Sequence, residues 1–370
     1  MPPCAGAKIE AYFIYSILIT SFIYPVVVHW GWGYGFLSPW GAATGMLFLK
    51  SNPNTQSTGM IDFAGSGVVH MVGGFSGLMG AIICGPRRGR FVDGKVVDFT
   101  SGDKVLQSLG VFILWFGWYG FNCGSTLKLT AGMANVAGKV AVTTTLSACA
   151  GGIGATVLSK IISGTYDISM GLNGVLAGLV SVTANCAVVN PWHAIIIGFV
   201  GSIVLFFGSK LVQMLKIDDP CDACVVHGFC GFWGLLCAGI FCIDSNVQYA
   251  AYPGTPNDAC KKGEQFGMQI VGGLCIIVWT VTMSGATFLG IKYTVGMQVS
   301  EEVEHLGLDV SEHGMEAPQA EPFKDYLRNG DVTSSTVLAP PNGQYVNGLA
   351  PPNGQYGAPH SSQMTEYGQG

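Results

Sequence analysis

Two histidines occupy the same local frame in two apolar stretches of the sequence. The tripeptide VVH occurs at 68–70 in DFAGSGVVHMVGG and again at 225–227 in DDPCDACVVHGFCG, which gives His70 and His227 matching surroundings. A neutral imidazole donates from one nitrogen and accepts at the other, so two adjacent rings can line a narrow path and pass hydrogen bonds or a proton to a small polar molecule. The matching frames predict two helices that face one pathway, as internal repeats do in transporters.

An aspartate precedes each of these histidines. Asp62 lies eight residues before His70, and Asp222 lies five residues before His227. Eight helical residues advance roughly 12 Å along the axis and turn about 80° around it, so Asp62 and His70 are not expected to share one helical face. Two interpretations of Asp62 stay open: it caps free amides at the start of a helix, or it acts directly on a cation. Asp222 is an acid at the start of the second such helix.

An aromatic ring and a hydroxyl share a helical face in the segment WFGWYGFNCGS, residues 115–125. Phe121 and Ser125 are four residues apart there, which is the spacing of neighbours on a helix surface. A ring beside a hydroxyl acceptor suits a small cation that carries N–H groups, and Trp32 in HWGWGYG could add a cation–π face. The alternative for both motifs is an aromatic belt at a membrane interface, or plain packing.

The composition predicts that membrane-spanning helices position these residues. Of the 370 residues, 49% are hydrophobic and only 11% are charged. A helix of roughly 20 apolar residues crosses a bilayer, whereas a β-barrel would show alternating segments of ~10 residues. The expected fold class is therefore an all-α, polytopic membrane helix bundle. About eight spans are expected, at residues 11–37, 62–84, 105–126, 137–163, 170–189, 193–214, 223–243 and 267–293.

The distribution of charge predicts an orientation. The loop after the second span is rich in Arg and Lys, and cytoplasmic loops carry such an excess. Its basic residues are Arg87, Arg88, Arg90, Lys95 and Lys104. The C-terminus is then cytoplasmic, in a multi-pass protein that we expect in the plasma membrane. The start MPPCAGAKIEAYF lacks the pattern of a signal peptide, so the first span is expected to insert as a membrane helix.

The twelve cysteines are scattered mainly through the spans, as is typical of small buried thiols rather than of a disulfide framework. Cys242 and Cys260 flank one outer loop and are the pair that could be joined. The segment CDAC has no second Cys/His pair nearby at zinc spacing. No metal, cofactor or nucleic-acid partner is expected.

Three regions are predicted along the chain: a transmembrane domain over 1–297, a cytoplasmic regulatory segment over 298–320 and a tail over 321–370. The tail is rich in Pro, Gly and Gln and repeats LAPPNGQY at 338–345 and 349–356. Such a polar, Pro-rich repeat cannot bury a core, which predicts disorder.

The two histidine segments, DFAGSGVVHMVGG and DDPCDACVVHGFCG, resemble the two signature segments of the ammonium transporter (Amt/Mep/Rh) family. From about Lys8 to Gly314 the chain is most similar to the plant and algal Amt type. The resemblance implies that His70 and His227 are the twin histidines of a hydrophobic conduction path. It implies that Trp32 and Ser125 form an outer ammonium-recruitment site.

The resemblance also places the remaining candidates. Phe121 falls on one of two stacked phenylalanines that gate the pore, and Asp62 falls on a span-start aspartate that shapes the recruitment region and helps ammonium lose its hydration. Asp222 belongs to the second signature segment. GLDVSEHG is similar to the regulatory segment of plant homologues and puts Ser311 at a phosphorylatable position.

Members of the family have eleven spans, arranged as a five-plus-five inverted repeat and a last helix, and they form trimers with one pore per subunit. AKIEAYFIYS resembles the start of the fourth span, so the sequence is expected to lack the first three spans and the other gating phenylalanine. Either an incomplete sequence or a truncated homologue would account for that.

The function expected from the resemblance is ammonium transport, with NH4+ recruited at the outer site, deprotonated, and NH3 conducted with or without a proton. The expected partners are ammonium, the lipid bilayer and two further copies of the chain in a homotrimer; no enzyme activity is expected. The alternatives are an ammonium sensor that signals through the tail, a truncated homologue without function, and an intramembrane redox protein. The last would hold haem through its histidines, or a metal at CDAC with Cys230.

Overall fold

Each of the eight apolar stretches forms a helix in the computed structural model, which describes residues 6–40, 59–97, 99, 103–252, 260 and 262–311. In chain order the long helices and one short one are α1 Ile9–Gly31, α2 Ser66–Cys84, α3 Lys104–Gly124, α4 Met133–Ser163, α5 Ile168–Thr183, α6 Pro191–Met214, α7 Cys224–Phe241, α8 Asp244–Tyr249 and α9 Lys262–Thr294. Two short helices follow, α10 Glu301–Leu306 and α11 Leu308–Ser311. The all-α prediction is confirmed.

Six of the described helices are long and apolar enough to cross a membrane by length and composition: α1, α2, α4, α6, α7 and α9. The other two predicted spans are also helical. Helix α5 is apolar but has only 16 residues, and α3 has 21 residues and falls outside that set. The count of eight spans thus corresponds to eight apolar helices, six of which meet this criterion in the described part of the chain.

Local sequence signals set where these helices begin and end. Asp103 caps α3 by accepting from the Val105 amide at 2.6 Å, and Pro191 occupies the first position of α6, where a missing amide costs nothing. Helices α2 and α4 stop at Gly85 and Gly164, whose φ angles of +91° and +77° favour glycine.

Large, fully buried side chains lie on the inward faces of α5, α6, α7 and α9; among them are Leu179, Ile197, Leu205, Leu235 and Ile276. Large apolar side chains such as Phe13, Ile17 and Phe116 are instead exposed on α1 and α3. Exposed apolar surface of this kind is unfavourable in water and stable against lipid hydrocarbon.

Small residues let α4, α5 and α6 approach closely. The Ser147 hydroxyl donates to the Gly178 carbonyl at 2.7 Å. A Cβ added to Gly178 or to Gly198 would lie only 2.2 or 2.1 Å from the Ser147 carbonyl oxygen. Glycine is therefore required at both contacts, as is typical of helix packing in membranes, where close van der Waals contact drives association.

The bundle has two ends, which we name after Trp32 and Arg87. At the Trp32 end, the indole Nε1 of Trp32 donates to the Asp62 carbonyl at 2.7 Å, just before α2 begins. At the Arg87 end, just after α2 ends, Arg87 pairs with Asp218 at 2.7 Å, just before α7 begins. Helices α2 and α7 therefore run in opposite directions through the bundle.

A short hairpin follows α2 at the Arg87 end. Its strands are β1 Phe91–Val92 and β2 Lys95–Val96, which pair antiparallel with Phe91 opposite Val96. The turn residues Asp93 and Gly94 have φ angles of +50° and +76°. Positive φ at both positions is the geometry that Asp-Gly sequences favour in two-residue hairpins.

The chain up to Leu308 forms one compact unit, and residues from Asp309 onward are assigned to a second. Within the first unit, the Arg88 amide and guanidinium donate to the Glu304 carboxylate at 2.9 and 3.2 Å, which fixes α10 at the Arg87 end. Of the second unit the structure describes 309–311, including Ser311 at the end of α11. The predicted tail, 321–370, lies outside the described residues.

Candidate functional site

The structure brings the two histidines into direct contact. His70 Nδ1 and His227 Nδ1 are 3.2 Å apart, and the two rings lie 5.2 Å apart with their planes at 19°. One of these nitrogens must carry the proton while the other accepts it, so the two rings hold complementary tautomers. The other nitrogen of His70, Nε2, is buried and has no hydrogen-bond partner among the described residues. It is available to a polar molecule that reaches the ring.

Both histidines lie in π-helical turns. Ser66–Met71 at the start of α2 and Cys224–Phe229 at the start of α7 are π-helical. The His70 amide donates to the Gly65 carbonyl, five residues back, at 3.0 Å. Such wide turns are rare and frequently occur at functional sites. The two matching sequence frames thus share an unusual backbone as well.

A glycine crossing sets the separation of the histidine helices. A Cβ on Gly74, one turn after His70, would lie 2.1 Å from the backbone nitrogen of Gly228, next to His227. The two backbones are therefore nearly in contact at this point. That close approach allows two imidazoles on different helices to reach hydrogen-bonding distance.

Trp118 of α3 stacks on the His70 ring. Its ring lies 5.0 Å from the His70 ring at 14°, and its indole Nε1 donates to the Thr183 hydroxyl at 3.0 Å. Phe121 contacts His70 at 5.5 Å and 40°. Sequence reasoning missed Trp118, although it lies three residues before Phe121 and seven before Ser125, on the same helical face.

Trp32 and Ser125 line one cavity of about 310 Å³ at the Trp32 end. The Ser125 hydroxyl donates to the Phe121 carbonyl at 2.9 Å, which leaves its oxygen lone pairs as acceptors. Another wall of the cavity comes from Trp40 and Tyr252, whose rings stack at 5.2 Å. Since Phe121 is one helical turn from Ser125 and touches His70, it connects this cavity to the histidines.

Asp62 is enclosed, with 1% of its surface exposed. Its carboxylate accepts from the amides of Gly65, Gly67 and Val68 at 3.1, 3.0 and 2.7 Å. Its backbone carbonyl accepts from Trp32, as described above. The geometry is that of a helix cap which also holds the cavity tryptophan in place. Asp62 precedes the first turn of α2, and its carboxylate is taken up by the amides of that turn rather than directed at His70.

Asp222 has a different role from the one its sequence position indicated. Its carboxylate accepts from the Ser209 hydroxyl at 2.7 Å and from the Asn173 amide at 3.3 Å. The acid that caps the start of α7 is Asp219, which accepts from the Cys224 amide at 2.7 Å. Asp219 precedes His227 by eight residues, the spacing of Asp62 and His70. The structure therefore pairs Asp62 with Asp219 rather than with Asp222.

Two cavities extend from the histidine pair to the Arg87 end. One, of about 400 Å³, is lined by both histidines, Tyr12 and Asp219. The other, of about 660 Å³, is lined by His227 and Asp222 among others. Burial raises the pKa of the Asp222 carboxyl to about 6, although the hydrogen bond from the Ser209 hydroxyl opposes this change.

A bidentate ion pair lies beside these cavities at the Arg87 end. Arg87 Nε and a terminal guanidinium nitrogen lie 2.7 and 2.9 Å from the two oxygens of Asp218, and Arg90 Nε lies 3.4 Å from the same carboxylate. Burial by itself would raise the pKa of Asp218, but hydrogen bonds and charge from Arg87, with Arg90, outweigh it and hold that pKa below its ordinary value.

The geometry does not support the redox alternative. The two histidine rings stack on each other, so they do not face one another across a space that a haem plane could fill. Within the described ranges, no group of three His, Cys, Asp or Glu side chains is placed to hold a metal ion.

Fold and site together define a helical membrane protein with two oppositely directed histidine helices in contact. The model of the Ammonium Transporter Family matches residues 4–318, and the chain belongs to this family. It is 42% identical over 320 residues to Putative ammonium transporter 1 member 5 of Arabidopsis thaliana, and 41% identical over 318 residues to Ammonium transporter 1 member 1 of the same plant. The matches cover 83% and 82% of this chain and 63% and 62% of those relatives, so the chain spans less than two thirds of their length.

Solved structures show the same fold. A structure titled Sensor Amt Protein is 30% identical with a TM-score of 0.70, over 83% of this chain and 71% of that one. The crystal structure of Saccharomyces cerevisiae Mep2 is 26% identical with a TM-score of 0.69, over 82% of this chain and 64% of that one. The family and fold expected from the two signature segments are confirmed.

Proposed function

We propose that this protein transports ammonium across a membrane, by recruiting NH4+ at the Trp32 end and conducting NH3 past His70 and His227. The stacked histidine pair is the observation that carries the proposal. It lies within an apolar bundle, joined by Phe121 to the cavity at the Trp32 end and open to the two cavities at the Arg87 end. Relatives named ammonium transporters support the choice of substrate.

The first step is recruitment of the cation. The Trp32 ring offers a cation–π face, and the Ser125 oxygen accepts an N–H hydrogen bond. Asp62 acts indirectly here, since its backbone carbonyl orients the Trp32 indole. A carboxylate that already accepts several backbone amides is a positioning residue in this scheme, and the cavity hydroxyl and ring make the direct contacts.

The second step is entry past Phe121 into the path of the histidines. Moving a bare cation into an apolar passage costs far more than moving a neutral molecule, so NH4+ passes a proton to water at the Trp32 end before NH3 enters. The imidazole nitrogens then replace the hydrogen bonds that ammonia made to water. The unpartnered Nε2 of His70 is placed to make such a bond. Beyond His227 the molecule reaches the cavity that Asp222 lines.

The orientation proposed is the Arg87 end in the cytoplasm and the Trp32 end outside. The cluster of basic residues around the hairpin supports it by the positive-inside rule. Helix α10 lies at the Arg87 end, so the chain that follows it, including Ser311, is cytoplasmic in this orientation. We propose Ser311 as a phosphorylation site that regulates transport through the segment 298–320, the plasma membrane as the location, and a homotrimer as the working assembly.

Transport by proteoliposomes tests this function. The full chain is reconstituted in vesicles, an ammonium gradient is imposed, and uptake of ¹⁵N-ammonium is measured against empty vesicles, since lipid itself passes some NH3. Replacing His70 or His227 by Ala removes a hydrogen-bond partner worth about 1–3 kcal/mol, so uptake should fall roughly 10- to 100-fold. His29→Asn, at an exposed histidine of α1, is the matched control. Uptake equal to that of empty vesicles in the unaltered protein would refute the function.

A further inference from the structure

Two cysteines at the Trp32 end are placed side by side. Cys242 directly follows α7, and Cys260 lies eighteen residues later, just before α9. Cys242 Sγ is 4.0 Å from the Cys260 carbonyl oxygen. Each cysteine has 1% of its surface exposed. Both are free thiols in this structure.

The position of Cys260 is held by more than the neighbouring sulfur. Its amide donates to Asp244 Oδ1, at the start of α8, at 2.6 Å. Both cysteines belong to one buried cluster with Val247 and Tyr252 from the intervening segment. Contact with the Cys242 thiol, together with burial and the Asp244 carboxylate, raises the pKa of the Cys260 thiol. The two cysteines therefore lie together in a packed, buried setting.

The distance is compatible with a covalent bond. Cys242 Sγ lies 4.0 Å from the carbonyl oxygen of Cys260, so it already contacts the backbone of that residue. A disulfide needs the two sulfurs at about 2 Å, which a turn of the side chains toward each other can supply. Rotation of the side chains is a smaller change than a movement of the backbone, and the loop that separates the two residues is long enough to close.

We propose that Cys242 and Cys260 are joined by a disulfide bond in the mature protein, and that this bond fastens the segment 243–252 beside the Trp32-end cavity. The inference rests on the orientation given under the proposed function, which puts this end on the oxidising side of the membrane. Each thiol loses its hydrogen, one S–S bond forms, and two electrons and two protons reduce the disulfide of a thiol oxidoreductase to two thiols. This exchange takes place during folding, before burial shields the thiols.

The bond has a consequence for the cavity. Ala250, Ala251 and Tyr252 supply part of its wall and lie within the loop that the disulfide closes. Cross-linking the two ends of a loop reduces the conformational entropy of the unfolded chain and so stabilises the folded state. The wall that faces Trp32 is thus held by the disulfide as well as by packing.

Differential alkylation of the unaltered full-length protein tests this inference directly. Protein from a eukaryotic plasma membrane is denatured and alkylated without reductant, then reduced and alkylated with a heavy form of the same reagent. Cys242 and Cys260 should carry the heavy label and should appear as one linked peptide pair before reduction. Cys84, also buried but at the Arg87 end, should carry the light label. Light label on both Cys242 and Cys260 would overturn the proposal.

Thermal unfolding gives a second measurement. Reductant should lower the midpoint of the unaltered protein by roughly 5 °C, and it should not change the midpoint of Cys242→Ala. Equal sensitivity of the two proteins contradicts the proposal. Transport is measured in the same preparations: linked peptides without transport refute the proposed function alone, whereas transport with light-labelled cysteines refutes the disulfide alone.

Discussion

The segments 62–84 and 219–241 have the same local structure and run in opposite directions through the bundle. Each begins with an aspartate whose carboxylate accepts backbone amides, continues into a π-helical turn, and presents a histidine eight residues after the acid. Each also contributes a glycine to the point where the two helices cross. The first segment starts at the Trp32 end and the second at the Arg87 end, which is the arrangement of an inverted repeat.

The two segments differ in how far they are enclosed. Asp62 is sealed inside the protein, whereas Asp219 is partly exposed and lines both cavities at the Arg87 end. A smaller contrast holds for the rings: both line the cavity of about 400 Å³, but Trp118 and Phe121 also cover His70, and only His227 lines the second cavity. A repeated local structure therefore gives one closed and one open environment, and the difference comes from the helices that pack around it.

The largest difference is expected between the two acids. Asp62→Ala leaves three buried amides without their acceptor, and each such loss costs about 1–3 kcal/mol, so the total should exceed about 3 kcal/mol. Asp219→Ala should cost about 1 kcal/mol, because Asp219 is partly exposed and caps the helix through the bond from the Cys224 amide. Unfolding of both variants by denaturant in detergent measures this. Asp62→Asn, which keeps an acceptor oxygen, should recover part of the loss; equal costs at the two acids would break the comparison.

The crossing glycines should respond in an equally unequal way. A Cβ on Gly74 would meet the Gly228 nitrogen at 2.1 Å, a backbone atom that cannot rotate away, so Gly74→Ala should cost about 2–3 kcal/mol. On Gly228 the nearest atom is a ring carbon of Phe75 at 3.5 Å, an ordinary contact, and Gly228→Ala should change stability by less than about 1 kcal/mol. The midpoint of thermal unfolding distinguishes them. Gly77→Ala, which meets no atom within 4 Å, is the neutral control.

Two acids near the open segment should give opposite pH dependence. The pKa of Asp218 is lowered in the folded state, so its contribution to stability is complete above the ordinary carboxyl pKa and is lost as pH falls through the lower, folded value. The pKa of Asp222 is raised to about 6, so the folded state holds its proton longer and stability falls as pH rises from about 4 to 6.

Thermal midpoints measured from pH 3 to pH 7 check both signs. Asp218→Asn should flatten the decline at the acid end, and Asp222→Asn should remove the decline between about pH 4 and 6. A steeper decline in Asp222→Asn than in the unaltered protein would contradict the assignment.

The smallest effect is expected at Trp118, the ring that covers His70. Trp118→Phe keeps a ring over His70 but loses the bond to the Thr183 hydroxyl, which should cost about 1 kcal/mol. Thr183→Val removes the same bond from the other side. Because both substitutions break one interaction, their costs should not add in the double variant, and full additivity in a double-mutant cycle would show that the bond contributes nothing.

Much of the site was predictable because its signals are local. Type and spacing alone single out Asp62, Phe121, Ser125 and the two VVH frames as candidates, and the family resemblance gives them roles. The sequence did not show that Asp219 is the equivalent of Asp62. Several acids precede α7, Asp222 among them, and spacing does not say which one accepts the free amides of the helix. Trp118 was missed because an aromatic residue on an apolar helix more often serves packing. Its contact with the His70 ring is visible only in the folded structure.

The sequence by itself determined the class of fold, the helical stretches and the family, because apolar length, glycine content and two long signature segments are properties of the chain read in order. Only the tertiary structure decided that His70 and His227 touch, that Trp118 covers one of them, and that Asp219 rather than Asp222 repeats Asp62. These are contacts between segments far apart in the chain, 157 residues for the two histidines, or choices among neighbouring side chains. Helix crossing and burial, rather than spacing along the chain, select them.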